Sequence, residues 1–192
     1  MLAVLAQDPD SGLLDYGDAD VLHKDQDAIV LEFLGFYRQS DDKEVLKYLV
    51  FDSKFTNYQN LSRLNDKSIK FITIRRRGKK IVEEINGLPA QSWKKIRVDR
   101  IGNKGRTLKI NDSTIYLKGY EGEIRQLAIT GHGKIKPALI ITNDMELKAE
   151  EIVLDPRSPN ILGIPKRFMR NYRRVIQKQP SFSANIRKFL KI

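Results

Sequence analysis

Asp52 follows four apolar residues, Tyr48, Leu49, Val50 and Phe51, and stands just before a stretch of helix-forming composition. In open α/β sheets, ligands gather outside the carboxyl ends of the strands, so a carboxylate in this position could hold a divalent cation. Metal-assisted phosphoryl transfer requires two or three converging carboxylates around ions roughly 4 Å apart. A lone carboxylate defines no such site, and capping of the following turn is the alternative that the residues leave open. Two basic clusters lie downstream. Arg75, Arg76, Arg77, Lys79 and Lys80 sit where the apolar run "KFITI" ends, and Lys94 and Lys95 follow Trp93, the single tryptophan. Basic side chains at a strand exit can contact phosphates without reading sequence, or form a solvated charge run. Trp93 could stack on an unpaired base, or pack within its own β segment.

The elements that would position these groups follow from periodicity. "LAVLAQ" and "LLDYGDADVL", separated by the turn-rich "DPDSG", read as two strands pairing back on each other. "DAIVLEFLGFYRQ" has helical spacing behind an Asp cap. "KYLVF" and "IKFITI" are consecutive rather than alternating apolar runs, the mark of strands buried on both faces. Between them "TNYQNLSRLNDKS" reads as a helix, with Thr56 as its N-cap. Strand, strand, helix, strand, helix, strand implies an α/β sheet covered by helices.

After Arg75 the texture changes. "WKKIRVDRI", "GRTLKIN", "STIYLKGY" and "IRQLAIT" read as short antiparallel strands with one wet, basic face, separated by turns at "GNKG", "NDS" and "GHGK". "PALIITND" returns to a buried strand, and "MELKAEEIV" starts a helix behind Asn143 or Asp144. The prolines of "LDPRSPNILGIP" then end that helix. "KRFMRNYRRVIQKQ" and "SANIRKFLKI" read as two short basic helices.

Charge points to a polyanionic partner. The 192 residues carry 35 Lys and Arg against 24 Asp and Glu, a net of +11. Residues 1–50 hold 11 acids and 4 bases, so the basic excess lies entirely in the remainder. Nucleic acid is the commonest partner for such a footprint. There is no cysteine, which excludes disulfides and thiolate metal sites and fits a reducing, cytoplasmic setting. No apolar run approaches the roughly 20 residues that span a bilayer. "GHGK" lacks the Walker spacing and reads as a turn. His23 and His132 have no ligand-spaced partners, which argues against zinc.

Taken in order, "LVFDSKFTNYQNLSRL", "IKFITIRRRG" and "GYEGEIRQLAITGHGKIKPALIITND" resemble the DDE transposases of bacterial insertion sequences. The likeness is to the group with a β-rich insertion in an RNase H-like catalytic domain, and it runs from about Leu2 to Val153. It implies a partial RNase H-like mixed sheet with flanking helices and an antiparallel β insertion. The corresponding boundaries are a core at 1–74, an insertion at 75–135, a return to the core at 136–153, and a basic divergent tail at 154–192.

The resemblance also implies a mechanism and partners. Two Mg²⁺ ions held by an Asp, Asp, Glu triad activate water to nick a transposon end, and the freed 3′-hydroxyl attacks target DNA. Asp52 would be the second of those aspartates and a metal ligand. Partners would be DNA, further copies of the chain, or an intact transposase, with no membrane. The first aspartate belongs on a central strand that would precede "LAVLAQ", and Asp8 and Asp10 are poor substitutes because they lie in the following turn. The glutamate belongs on a helix after "AEEIV", where prolines stand instead; Glu150 and Glu151 precede that position, and Tyr172–Arg173 is followed by no glutamate. Three expectations follow: an incomplete triad, a DNA-binding remnant or modulator as the alternative function, and two strand edges left open where the first strand should lie.

Overall fold

The computed structural model describes residues 2–7, 14–39, 46, 48–100, 103–133, 136–154 and 187–191. In chain order these form β1 (Leu2–Gln7), β2 (Leu14–Val21), α1 (Ile29–Gln39), β3 (Tyr48–Phe51), α2 (Tyr58–Asp66), β4 (Lys70–Ile74) and α3 (Lys79–Asn86). There follow β5 (Lys94–Arg100), β6 (Asn103–Tyr116), β7 (Glu123–Thr130), β8 (Ala138–Thr142), α4 (Ala149–Leu154) and β9 (Arg187–Lys191). The nine strands form one mixed sheet in the order β2-β1-β9-β3-β4-β8-β7-β6-β5. The fold is α/β.

Burial explains the consecutive apolar runs. In β3, Leu49 and Phe51 point to one face, into a core with Phe33 and Ile29 of α1 and Leu61 and Leu64 of α2. Tyr48 and Val50 point to the other face, into a second core with Ile72, Ile140, and Ala149, Ile152 and Val153 of α4. Both faces are therefore dry at the centre, and every residue of β3 is buried. A third, smaller cluster forms under α3 from Ile85, Ala128 and Leu139. The segment 75–135 contributes α3 and three strands that prolong the same sheet through β8.

Several expectations need correction. The N-cap of α2 is Asn57, whose side chain accepts from the Gln59 and Asn60 N–H groups. Thr56 instead turns its hydroxyl inward, 2.7 Å from that of Thr73 and 3.2 Å from the Ile74 carbonyl. "NDS" is no turn: Asn111, Asp112 and Ser113 lie within β6, opposite Ala128, Leu127 and Gln126. Their polar groups find partners in place, Asn111 donating to the Ser92 carbonyl and Asp112 pairing with Arg125. Helix α4 begins at Ala149, because Asp144 is used in a turn where its Oδ1 accepts from Glu146 and Leu147.

The largest correction concerns the slot between β1 and β3. Both edges expected to be open are paired. β9 runs antiparallel to β1, with Leu5 opposite Lys191 and Gln7 opposite Phe189, and parallel to β3, with Tyr48 opposite Arg187 and Phe51 opposite Leu190. The end of "SANIRKFLKI" is thus a strand rather than a helix. Five residues are too few to sustain a helix alone, and an extended segment satisfies two rows of backbone donors and acceptors at once. The basic helix expected in "KRFMRNYRRVIQKQ", with Tyr172 and Arg173, lies outside the described residues.

Candidate nucleic-acid interface at the Asp52 rim

β3 and β4 are parallel, with Phe51 opposite Thr73, so both deliver their carboxyl ends to one rim of the sheet. Asp52 leaves β3 there in an extended conformation. Its Oδ1 accepts the Lys54 N–H at 3.0 Å and the Ser53 hydroxyl at 3.1 Å, capping a single 3₁₀ turn, Ser53–Phe55. That turn is held in place by Phe55, which is fully buried. Arg76 reaches back from the end of β4 to the same turn. Its Nε donates to the Ser53 carbonyl and its guanidinium NH2 to the Lys54 carbonyl, both at 2.9 Å. The capping carboxylate and the arginine therefore close the two ends of one turn.

The remaining candidates divide by role. Arg75 is half-buried and donates to the Gln126 side chain on β7, while its main chain bonds to Leu139 on β8. It ties three strands together. Arg77 is half-buried; Lys79 and Lys80 are exposed in the first turn of α3, where Lys79 lies 3.9 Å from Glu83. Trp93 is partly buried against the cluster beneath α3. Lys94 and Lys95 are exposed on β5.

Register places the β5–β6 hairpin beyond the same rim. β8 and β7 alternate in direction after β4, so the end of β7 lies at the carboxyl end of β3 and β4. β6 pairs with β7 only from Lys109, opposite Thr130, onward; residues 103–108 of β6 pair with β5 alone. A two-stranded ribbon thus extends past the sheet. The hairpin from Lys94 to Lys109 carries seven bases and one acid, Asp99, and four of those bases, Arg97, Arg100, Lys104 and Arg106, belong to the projecting part. Ile96 and Leu108 face each other on its buried side, while Lys95 is opposite Lys109 and both are exposed. Like charges placed directly opposite on a strand pair destabilise it, which argues for an anion that offsets them. Gly131 seats the root of the ribbon: its φ is +80°, and a Cβ there would lie 2.8 Å from the Thr107 carbonyl.

Of these cations, Lys94 and Lys95 stand out in the sequence beside Trp93, whereas Arg97 and Lys109 do not. The available signal was the alternation of basic with apolar residues in "KIRV" and "TLKI" on either side of "GNKG". The pairing that puts Lys109 opposite Lys95 depends on the register between two strands and cannot be read from either alone.

Among the described residues, no second or third acid joins Asp52 to make a donor set for a pair of divalent cations. Among the described residues, no group of three or more His, Cys, Asp or Glu comes together in a way that could hold a metal ion. Asp52 spends Oδ1 on the 3₁₀ turn, and Glu151 accepts the Lys148 N–H at 2.9 Å at the start of α4. β9, beside Asp52's strand, reads "RKFLK" and supplies no acid. Among the described residues no helix is long and apolar enough to cross a membrane. No protein-family model matches the chain, and no curated protein matches it.

Proposed function

We propose that the chain is a DDE-transposase-type domain of an insertion sequence, which binds DNA at the Asp52 rim and cannot cut it alone. The observation that carries the DNA reading is the hairpin of seven bases and one acid whose outer part, with Arg97, Arg100, Lys104 and Arg106, projects past that rim. Its contacts would be to phosphates, neutralising charge without selecting a sequence. Transposon ends and target DNA are the duplexes that the resemblance implies, and a cytoplasmic setting goes with them.

Strand order supports the RNase H-like part of the reading. In such sheets the first strand lies between the second and the fourth; here β9 lies between β1 and β3, and Asp52 follows β3. β5, β6 and β7 fall in the chain between β4 and α4, where the resemblance expects an insertion. Mg²⁺ in the related enzymes would activate water and stabilise the attacking and leaving oxygens. Among the described residues, Asp52 is the carboxylate at that rim and its Oδ1 is already bonded to its own backbone, so no catalytic step is assigned to it.

Incubation with supercoiled DNA and Mg²⁺ tests the proposal. Retention of the supercoiled form is expected alongside salt-sensitive binding. Nicking that disappears on Asp52→Ala substitution would overturn it. The second reading, modulation of an intact transposase by mixed assembly, rests on the same ribbon: a DNA-binding copy without a triad would occupy transposon ends unproductively.

A further inference from the structure

We infer that the second half of β6, residues 111–116, is a strand-addition edge whose occupant is the same segment of a second copy of this chain, paired antiparallel about a two-fold axis at Thr114. The inference does not depend on DNA binding. Three observations carry it.

First, the edge is open. β6 pairs with β5 only as far as Ile110, opposite Lys94, but with β7 all the way to Tyr116. On the β5 side of residues 111–116, no strand is paired among the described residues. Asp112, Thr114 and Tyr116 are exposed there, the last at 75%. Ser113 and Ile115 are half-buried on the opposite face, Ile115 against the core that α1 and α2 cover.

Second, this edge lacks the devices that keep strand edges apart. Natural edges are blunted by lysine, proline, bulges or unmatched charge. Residues 111–116 contain no lysine or proline, and the pairing of β6 with β7 runs without a register shift. Their one charge, Asp112, is already matched by Arg125, at 2.9 and 2.7 Å. Thr114, Ile115 and Tyr116 are residue types that suit strands. An added strand would draw its affinity from the main chain.

Third, the register admits a copy of itself. Opposed residues of an antiparallel pair share a face of the sheet, so a two-fold axis must pass through a residue position rather than between two. Centred on Asp112, two like charges would be opposed. Centred on Ser113, the partner's Tyr116 would fall opposite Ile110, a place that Lys94 already fills. Centred on Thr114, the partner's strand ends with its Tyr116 opposite Asp112, and its chain turns away at Lys118 and Gly119, where φ is +95°. The two Thr114 side chains then face each other, Ser113 meets the partner's Ile115, and no like charges are opposed. Because the joined strands run in opposite directions, the two basic ribbons lead away from each other to opposite rims.

The absence of native cysteine makes a direct test possible in the full chain. Thr114→Cys brings two thiols into direct opposition across the axis, within reach of a disulfide. Tyr116→Cys is the control: that position is more open to random collision, but its two copies would lie ~13 Å apart along the strands. Under mild oxidation, Thr114→Cys should form disulfide-linked dimers at least about tenfold faster than Tyr116→Cys. Sedimentation equilibrium of the unsubstituted chain, from about 5 to 500 μM, should show the average mass rising from monomer toward dimer. Thr114→Glu sets two like charges at the axis, while within one copy it faces Arg125, which suits the fold. It should weaken dimerisation at least about tenfold with the urea midpoint maintained. Equal linkage at the two cysteine positions, or a Thr114→Glu chain that dimerises as tightly as the unsubstituted one, would overturn the inference. So would a monomer at every concentration, which would leave the edge to another protein's strand.

Discussion

Asp52 holds together the turn that follows β3, and its chemistry there is that of a cap. Removing the side chain leaves the Lys54 N–H without its acceptor, so Asp52→Ala should cost about 1 kcal/mol in urea unfolding, and Asp52→Asn less, since asparagine also caps. DNA affinity should not fall in either variant, because the carboxylate repels phosphate. Asn143 is a more costly residue. Buried at the far end of the sheet, it accepts the Phe71 N–H at 2.9 Å and donates to Asn65 and the Ile69 carbonyl at 3.0 Å. Asn143→Ala strands a buried donor and acceptor and should lower stability by about 2–3 kcal/mol, read from the same unfolding curves. Asp52's place at a strand tip was legible because four consecutive apolar residues announce a buried strand. Its use as a cap, and Arg76's grip on Ser53 and Lys54, were not, since the arginine's acceptors lie 22 and 23 residues earlier in the chain.

Elements were legible where one local signal sufficed. Buried runs gave β3, β4 and β8, and helical spacing gave α1 and α2. The signal failed where a partner overrides local preference: Arg125 forms a paired bridge to Asp112, at 2.9 and 2.7 Å, which keeps "NDS" inside β6. Helix α3 was missed because its apolar residues, Ile81, Val82 and Ile85, are few and are hidden behind the arginine run. The ribbon makes a prediction of opposed signs. Lys95→Glu replaces a like-charged pair with an attractive one opposite Lys109, so the hairpin should gain about 0.2–1 kcal/mol while DNA affinity falls. Unfolding curves and DNA titrations on one sample separate the two effects. Between α2 and β7, burial and then Asp66 raise the Tyr120 phenol above the ordinary 10.0, and its ring meets Phe71 edge-on. The folded chain thus holds that proton more tightly than the unfolded one. This contribution is complete below the ordinary tyrosine value and is lost as pH rises past it. Tyr120→Phe should reduce the fall in stability between about pH 9 and 11, measured as urea midpoints.

At the scale of the molecule, the sequence's charge asymmetry acquires a direction. The acidic first quarter builds β1, β2 and α1 at one side of the sheet, and the basic ribbon stands at the opposite side. The sheet's completion by β9 was illegible because no local pattern marks a five-residue strand whose partners lie at the far end of the chain. The slot that receives it was foreseen; its occupant was not. A fluorescence anisotropy titration of a labelled DNA duplex, repeated from about 50 to 300 mM salt, bears most directly on the proposed DNA-binding rim. With about five ribbon cations on phosphates, the logarithm of the association constant should fall against the logarithm of salt with a slope near −4.5. A slope near zero, or no binding at the lowest salt, would contradict it.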